Sequence, residues 1–454
     1  MYKFSKYKEQ YRENLRLALP VMLSQLGYII VQIADNAMVG QYGGDDPTPL
    51  AAAAFGGGLF FISMVTIMGL TFGITPLVGE LFAQGDEVKS AKYLQNGILL
   101  FGAVAFVATI VQYSIIPLMW HMGQPEEVVH LAIPYYQTLV WSLFPCIGFF
   151  VFKQFLEGIG NTKIAMYVVI ISNVVNIVLN YMLIGGEWGA PEMGVLGAGV
   201  ATLVSRVVMA VVIIGYFLYN DAFRRYRELF ARCNFSKIYI IRLVRMGFPI
   251  SMQIMLEAGS FVVIGFLFGL FGASAISAQQ ISLTMGNCSF MIIVALGSST
   301  TIRISHCYGL RDFRQMRLAS KAGWHLALLW NILAAIFFFV FRTQIPQVFS
   351  SNAEVIELAS ILITTVIAYQ IADGVQCIGI GILRGMQDVK RIPFIAFVSY
   401  WIFNIPIGYF CAVYLGMGAP GLYMGFFSGF ALACTLIIWR IKYRQKQLQL
   451  NFAE

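Results

Sequence analysis

Apolar runs of about twenty or more residues recur along the whole chain, each closed by a short polar gap. Residues 15–40, 50–78, 93–118, 131–152, 164–184 and 194–218 form a first series. A second series occupies 246–270, 275–302, 322–341, 355–381, 392–415 and 420–439. About 20 apolar residues in a helix cross the hydrocarbon core of a bilayer. The pattern therefore predicts an all-α membrane protein of twelve transmembrane helices. The widest polar gap, 219–245, is basic, with Arg224, Arg225, Arg227, Arg232, Lys237, Arg242 and Arg245. It divides the chain into a first lobe at 1–218, a linker at 219–245, a second lobe at 246–439 and a tail at 440–454. The linker resembles the basic, aromatic stretch Met1–Arg16, and both are expected to lie partly on the membrane surface. The first apolar run is too long for a signal-peptide core and lacks a small-residue cleavage site, so it reads as a retained helix.

Composition agrees with this reading. Of 454 residues, 59% are hydrophobic and 11% charged, against about a quarter charged in soluble domains. The net charge of +8 suggests nucleic acid until its placement is examined. With the N-terminus inside and loops alternating, the inner segments hold 28 of the 30 Lys and Arg. Only Arg342 is outside, and Arg206 falls within the sixth span. The outer loops carry Asp45, Asp46, Glu126, Glu127, Glu187, Glu192, Glu354 and Glu357. This bias satisfies the positive-inside rule for an inner-membrane protein with both termini cytosolic, and the cations face anionic lipid headgroups. An odd number of spans breaks the pattern. No nucleic-acid partner is expected.

The two series of spans are related. Pro20 follows Arg16 by four residues, as Pro249 follows Arg245. Leu156-Glu157-Gly158-Ile159-Gly160-Asn161-Thr162-Lys163 matches Leu383-Arg384-Gly385-Met386-Gln387-Asp388-Val389-Lys390 at Leu, Gly and Lys. Gly194 and Gly197 open the sixth span as Gly418 and Gly421 open the twelfth. All offsets lie between 224 and 229, which indicates duplication. An even number of spans per half gives both lobes one orientation, related by an axis along the membrane normal. That symmetry suits alternating access.

Acidic side chains deep in a span cost about 2.5–3.5 kcal/mol each on insertion scales, and so mark candidate functional positions. Asp35, Glu257 and Asp373 are three such residues. Asp35 falls at similar depth to Asn176 and Asn180, an i, i+4 pair on the fifth span, and to Thr202 on the sixth. Ordinary interhelical hydrogen bonding also accounts for the Asn pair and Thr202. Glu257 and Asp373 lie mid-span, with Tyr369 one turn before Asp373 on the same face. Two carboxylates and a phenol offer oxygen ligands to a hard cation such as Na⁺, and a proton neutralises a carboxylate equally well. Arg206 needs a carboxylate or carbonyl partner, or must snorkel; the sequence names none, and a structural role is expected of it.

The remaining features are bland. Seven scattered cysteines (146, 233, 288, 307, 377, 411 and 434) include no CxxC pair, so neither a disulfide framework nor a zinc site is expected. Gly69/Gly73 and Gly265/Gly269 are helix-packing spacings. Asn234-Phe235-Ser236 fits a glycosylation sequon but falls in the inner linker. The four His are dispersed, and no HExxH, Walker loop or Ser/His/Asp set appears. Enzyme activity and a cofactor are not expected.

The Pro20…Asp35 span, the Leu156–Lys163 segment followed by Asn173, Asn176 and Asn180, and Leu383-x-Gly385 resemble the multidrug and toxic compound extrusion (MATE) family over about Leu15 to Trp439. Glu257 and Tyr369-x-x-x-Asp373 are similar to its bacterial NorM-like branch. The resemblance implies two six-helix lobes and a multidrug antiporter that exports small organic cations against Na⁺ or H⁺, expected as a monomer. It also implies a cation site at Glu257, Asp373 and Tyr369, a second at Asp35, Asn176, Asn180 and Thr202, and a bendable first helix at Pro20. The second repeat departs from the family at Gly385-Met386-Gln387-Asp388, where a second Gly-x-Gly is missing. Arg206 is a charge the family pattern does not require. The alternative is a lipid-linked oligosaccharide flippase of the same superfamily. Its anionic pyrophosphate calls for Arg and Lys in the cleft, whereas here three acids stand against one Arg within the spans. A major-facilitator transporter lacks support, because Gly79-Glu80-Leu81-Phe82-Ala83-Gln84-Gly85-Asp86 replaces that group's basic loop. No pore-loop signature suggests a channel.

Overall fold

The computed structural model describes residues 2–44, 46–232 and 235–453, with side chains undescribed at 2–6, 231–232 and 451–453. Asp45, Cys233 and Asn234 lie outside the described residues. Among the described residues, twelve helices are long and apolar enough to cross a membrane, as the hydrophobic pattern predicts. They are α1 (Tyr7–Gly43), α2 (Thr48–Ala83), α3 (Glu87–Met119), α4 (Glu126–Gly158), α5 (Lys163–Gly185), α6 (Gly194–Tyr219), α7 (Lys237–Phe271), α8 (Ala273–Gly309), α9 (Phe313–Phe341), α10 (Ala353–Gly385), α11 (Ile392–Tyr414) and α12 (Ala419–Leu450). In hydrocarbon every backbone polar group must be satisfied within its own segment, which leaves the helix as the form available to such runs.

Several helices exceed their apolar cores. α7 begins at Lys237, inside the expected linker, and α12 runs on through the expected tail. The rest of the linker contains a surface helix, Arg224–Arg232. It is tied to α3 by an Arg225–Glu87 ion pair of 2.6 Å. Asp86 and Asp312 cap α3 and α9 by accepting from Lys89 N and Gln315 N, the usual answer to unpaired N–H groups at a helix start.

Contacts divide the chain into two units, Met1–Met22 with Met252–Glu454, and Leu23–Ser251. The division falls within α1 and α7 and not at their ends. In the first unit Arg303 of α8 donates to Gln10 O (2.9 Å), Gln10 Oε1 (2.7 Å) and Asn14 Oδ1 (3.1 Å), and Tyr11 OH meets His325 Nδ1 of α9 at 2.8 Å. In the second unit Ser251 Oγ donates to Thr66 O (2.6 Å), Ser236 N donates to Asn96 Oδ1 (2.9 Å), and Tyr239 packs edge-on against Tyr93. Pro20 and Pro249 each sit two residues before a division point, and both helices run unbroken through them.

Two irregularities position side chains. α4 breaks at Ser142, between a helix ending at Trp141 and one starting at Leu143. α11 widens into π-helix at Val398–Asn404. Pro406 has no N–H for the carbonyl four residues earlier, and a wide turn just before it accommodates that loss. Such bulges frequently occur at functional sites. The first unit is cored by aromatic side chains, among them Phe268, Tyr369, Tyr400, Tyr423, Phe426 and Phe430.

Candidate functional site

Asp35 reaches its partners because α1 and α5 approach closely. A Cβ at Gly27 would meet Asn173 Nδ2 at 2.8 Å and Val169 Cγ1 at 3.3 Å. From that contact Asp35 is eight residues on and Asn180 seven, so the two helices advance together by about 11 Å at 1.5 Å per residue. Asn180 Nδ2 donates to Asp35 Oδ1 at 2.5 Å and to Asn176 Oδ1 at 3.2 Å. Both asparagines are buried, and Asn180 Oδ1 and Asn176 Nδ2 have no protein partner. Thr202 takes no part in these bonds: its hydroxyl donates to Ala198 O, 2.9 Å away in its own helix. Three of the four residues anticipated at this depth are therefore joined, and the fourth turns back on α6.

Among the described residues, Arg206 is hydrogen-bonded to neither a carboxylate nor a carbonyl. Its Nη1 donates to Ser142 Oγ at 2.5 Å, Nη2 to Met64 Sδ at 3.5 Å, and its guanidinium stands 5.0 Å from the Phe60 ring centroid. A hydroxyl and a π face stabilise a cation without neutralising it. The charge remains, within electrostatic range of Asp35, Tyr28 and Cys146.

In the other unit, Glu257 on α7 accepts from Gln253 Nε2 at 2.6 Å, and Gln253 Oε1 in turn accepts from Arg384 Nη2 at 2.9 Å. Tyr400 is also within hydrogen-bonding reach of Glu257 and accepts from Gln376 Nε2. Asp373 on α10 is buried, within electrostatic range of Glu257, and its Oδ1 has no partner. Glu257 and Asp373 carry two negative charges when ionised and Arg384 supplies one positive. One negative charge is left over, which one monovalent cation or one proton cancels. Tyr369 is close enough to Asp373 for electrostatic interaction. Its ring stacks on Phe430 at 5.5 Å and 21°, with Phe426 at 5.5 Å and Tyr423 at 6.0 Å.

Sequence reasoning brought Glu257, Asp373 and Tyr369 together but missed Arg384, Tyr400, Gln253 and Gln376. Counting one Arg within the spans was an error of boundary: Arg384 lies in the last turn of α10 and its guanidinium acts on Glu257. Gln253, one turn before Glu257 on α7, was the one detectable signal. Tyr400 had none, because its helix departs from regular spacing there.

The repeat gives four residues of this site counterparts. At the offset of 229 shared by the two prolines, Glu257 corresponds to Tyr28; at 227, Tyr369, Asp373 and Arg384 correspond to Ser142, Cys146 and Glu157. Those counterparts include the residues around Arg206. The duplicated position thus holds two acids beside the Arg384 guanidinium in one unit, and the Arg206 guanidinium beside Ser142, Tyr28 and Cys146 in the other.

The MatE family model matches residues 20–182 and 249–410, one match in each half. Solved structures share the fold. An outward-facing multidrug resistance MATE family transporter of the MOP superfamily superposes with a TM-score of 0.88 at 21% identity, covering 97% of each chain. The Vibrio cholerae MATE transporter VcmN in its bent form gives 0.86 at 19%, covering 98% of this chain and 99% of that one. A MOP superfamily transporter from Pyrococcus furiosus, described as having a binding pocket of reverse polarity that suggests a different function, gives 0.83 at 21%, covering 97% of each.

Proposed function

We propose a function from one premise: the chain belongs to the MatE family. It is a multi-pass membrane protein with the fold of MATE transporters, and its activity is the export of small organic cations in antiport with Na⁺ or H⁺. The observation that carries this reading is the charge imbalance of the Glu257–Asp373–Arg384 cluster, buried among aromatic rings. A dry site holding one surplus negative charge has lower free energy with a cation or proton in it. If an organic cation and the coupling ion each satisfy that charge, they oppose one another's binding, which is the thermodynamic requirement for exchange.

The test is ethidium movement in proteoliposomes under independently imposed Na⁺ and H⁺ gradients. Accumulation against its own gradient, driven by at least one of the two, is the expected result. A flippase for a lipid-linked pyrophosphate leaves ethidium unmoved under both, and that outcome sinks the antiport reading.

The basic inner segments and acidic outer loops support placement in the inner membrane with both termini cytosolic. A cysteine introduced at Glu187 is expected to react with an impermeant reagent on intact cells, and one at Arg225 only after permeabilisation. Reaction at Arg225 from outside reverses the orientation.

A further inference from the structure

Where α9 ends and α10 begins lies a pocket of about 500 Å³, within the ordinary range of a small-ligand site. One wall is Arg342, the residue that follows α9. The other is a single stripe of α10, Ala353, Glu357, Ile361 and Thr364, residues three or four apart on one helix face. Ala353 opens α10, so the stripe descends about 16 Å at 1.5 Å per residue. The headgroup layer of a bilayer is about 5–8 Å deep on each side. The stripe therefore starts among headgroups and ends among acyl chains. Phe339 and Ile361 are exposed apolar side chains, as suits a surface that faces lipid.

The two walls carry opposite chemistry. On the proposed orientation Arg342 is the one Lys or Arg of the outer loops. Its Nη1 donates to Phe339 O at 2.9 Å, and its guanidinium lies 4.4 Å from the Phe339 ring centroid. These contacts hold the group in place and leave its charge unmet. Among the described residues neither Arg342 nor Glu357 enters an ion pair. Glu354, the neighbouring acid, is engaged by Ser274 Oγ at 2.8 Å. Ser360 and Thr364 give their hydroxyl hydrogens to Ile356 O and Ser360 O, so the α10 wall offers acceptors and no side-chain donor. An occupant that satisfies both walls needs an anionic acceptor toward α9, a cationic donor toward α10 and an apolar continuation into the membrane. We propose that the pocket holds one phospholipid with a primary-ammonium headgroup, a phosphatidylethanolamine of the surrounding leaflet. The Arg342 fork takes the phosphate, Glu357 takes the ammonium, and Phe339 and Ile361 meet the start of an acyl chain. Phosphatidylglycerol brings the phosphate without the ammonium. A choline headgroup has the positive charge but no N–H to donate. An organic cation leaves Arg342 unmet.

The experiment is native mass spectrometry of the delipidated full chain in detergent, titrated with phosphatidylethanolamine, phosphatidylcholine or phosphatidylglycerol of matched chain length. Wild type is expected to retain one phosphatidylethanolamine at least about tenfold more tightly than either of the others, the worth of one charge-assisted hydrogen bond. Glu357→Gln should erase the preference for ethanolamine over choline, leaving the two within about twofold. Arg342→Gln should weaken all three lipids together by at least about fivefold. Glu357 is exposed and Arg342 half-buried, so neither change should disturb folding, and thermal melting of each variant checks this. Equal binding of the three lipids by wild type overturns the proposal. So does an ethanolamine preference that survives in Glu357→Gln. Soluble glycerophosphoethanolamine that displaces the lipid at equal concentration assigns the pocket to a free headgroup and overturns the lipid. A dimer that is lost in Arg342→Gln puts a second copy of the chain there and overturns it equally. No arm involves ethidium or a coupling ion, so a failure here is distinct from a failure of the antiport reading.

Discussion

Replacing Glu257 by Gln, or Asp373 by Asn, is expected to abolish the dependence of drug affinity on the coupling ion. Arg384 balances one carboxylate, so with both acids ionised the wild-type cluster has one negative charge in surplus. Removing either acid leaves one carboxylate against one guanidinium, and no further cation is required. The amides preserve shape: in Glu257→Gln the side-chain oxygen can still accept from Gln253 and Tyr400, so packing is unchanged. On the proposed antiport, the ion and the organic cation are expected to weaken one another in wild type by a common factor. Measured couplings of this kind are typically 1–3 kcal/mol, about 5–150-fold in affinity. Drug affinity of purified protein, titrated with Na⁺ at fixed pH and with pH at fixed Na⁺, should fall by at least about fivefold along one axis. Both variants should stay within about twofold on both axes, close to zero coupling. Should both retain the wild-type response, coupling resides elsewhere and Asp35 is the remaining candidate.

Asp35→Asn is expected to stop export while leaving the fold intact. The Asn180 amide donates to Asp35 Oδ1, and an asparagine oxygen accepts the same bond. A neutral side chain in a span is also less costly than a charged one, by about 2.5–3.5 kcal/mol on insertion scales. Thermal stability should therefore match or exceed wild type. The variant cannot exchange a proton or hold a cation by charge, so its hydrogen bonds to α5 are frozen in one arrangement. The mechanical consequence lies in α1. Pro20 removes one backbone hydrogen bond, and the unit division falls two residues later, at Met22/Leu23. A change in how Asp35 grips α5 is expected to act on α1, where Pro20 leaves a weak point. Ethidium export by cells expressing Asp35→Asn should drop to the level of the empty vector. Normal export by the variant would reduce Asp35, Asn176 and Asn180 to interhelical glue.

Some of this was legible in the sequence for definite physical reasons. The bilayer imposes length and composition on each span, so twelve helices could be counted. Duplication repeats Pro20 at Pro249 and Leu156 at Leu383, so six plus six could be read. A carboxylate in an apolar run is costly enough to stand out, so Asp35, Glu257 and Asp373 were visible singly. What escaped depends on side-chain direction and on departures from regular geometry. Thr202 shares a depth with Asp35 but bonds to its own helix. Tyr400 enters the site from a π-helical stretch that no regular period anticipates. Arg384 sits at a helix end, where charge is ordinary, and only its direction brings it to Glu257. The division within α1 and α7 depends on Arg303 reaching Gln10 and on Ser251 reaching Thr66, contacts between residues hundreds of positions apart.

Arg206 gives the duplicated architecture an asymmetry of another kind. Around Glu257 and Asp373, on the proposed reading, the charge that Arg384 leaves unbalanced is cancelled from the medium, so occupancy there would follow a concentration and report on the world outside the protein. Around Ser142, Tyr28 and Cys146 the positive charge is covalently attached to α6. Being part of the chain, it has no dissociation constant. The proposed reading thus puts a variable at this position in one half and a constant at its counterpart in the other. In the language of measurement, they are a sensor and its reference electrode, made from two copies of one ancestral helix bundle.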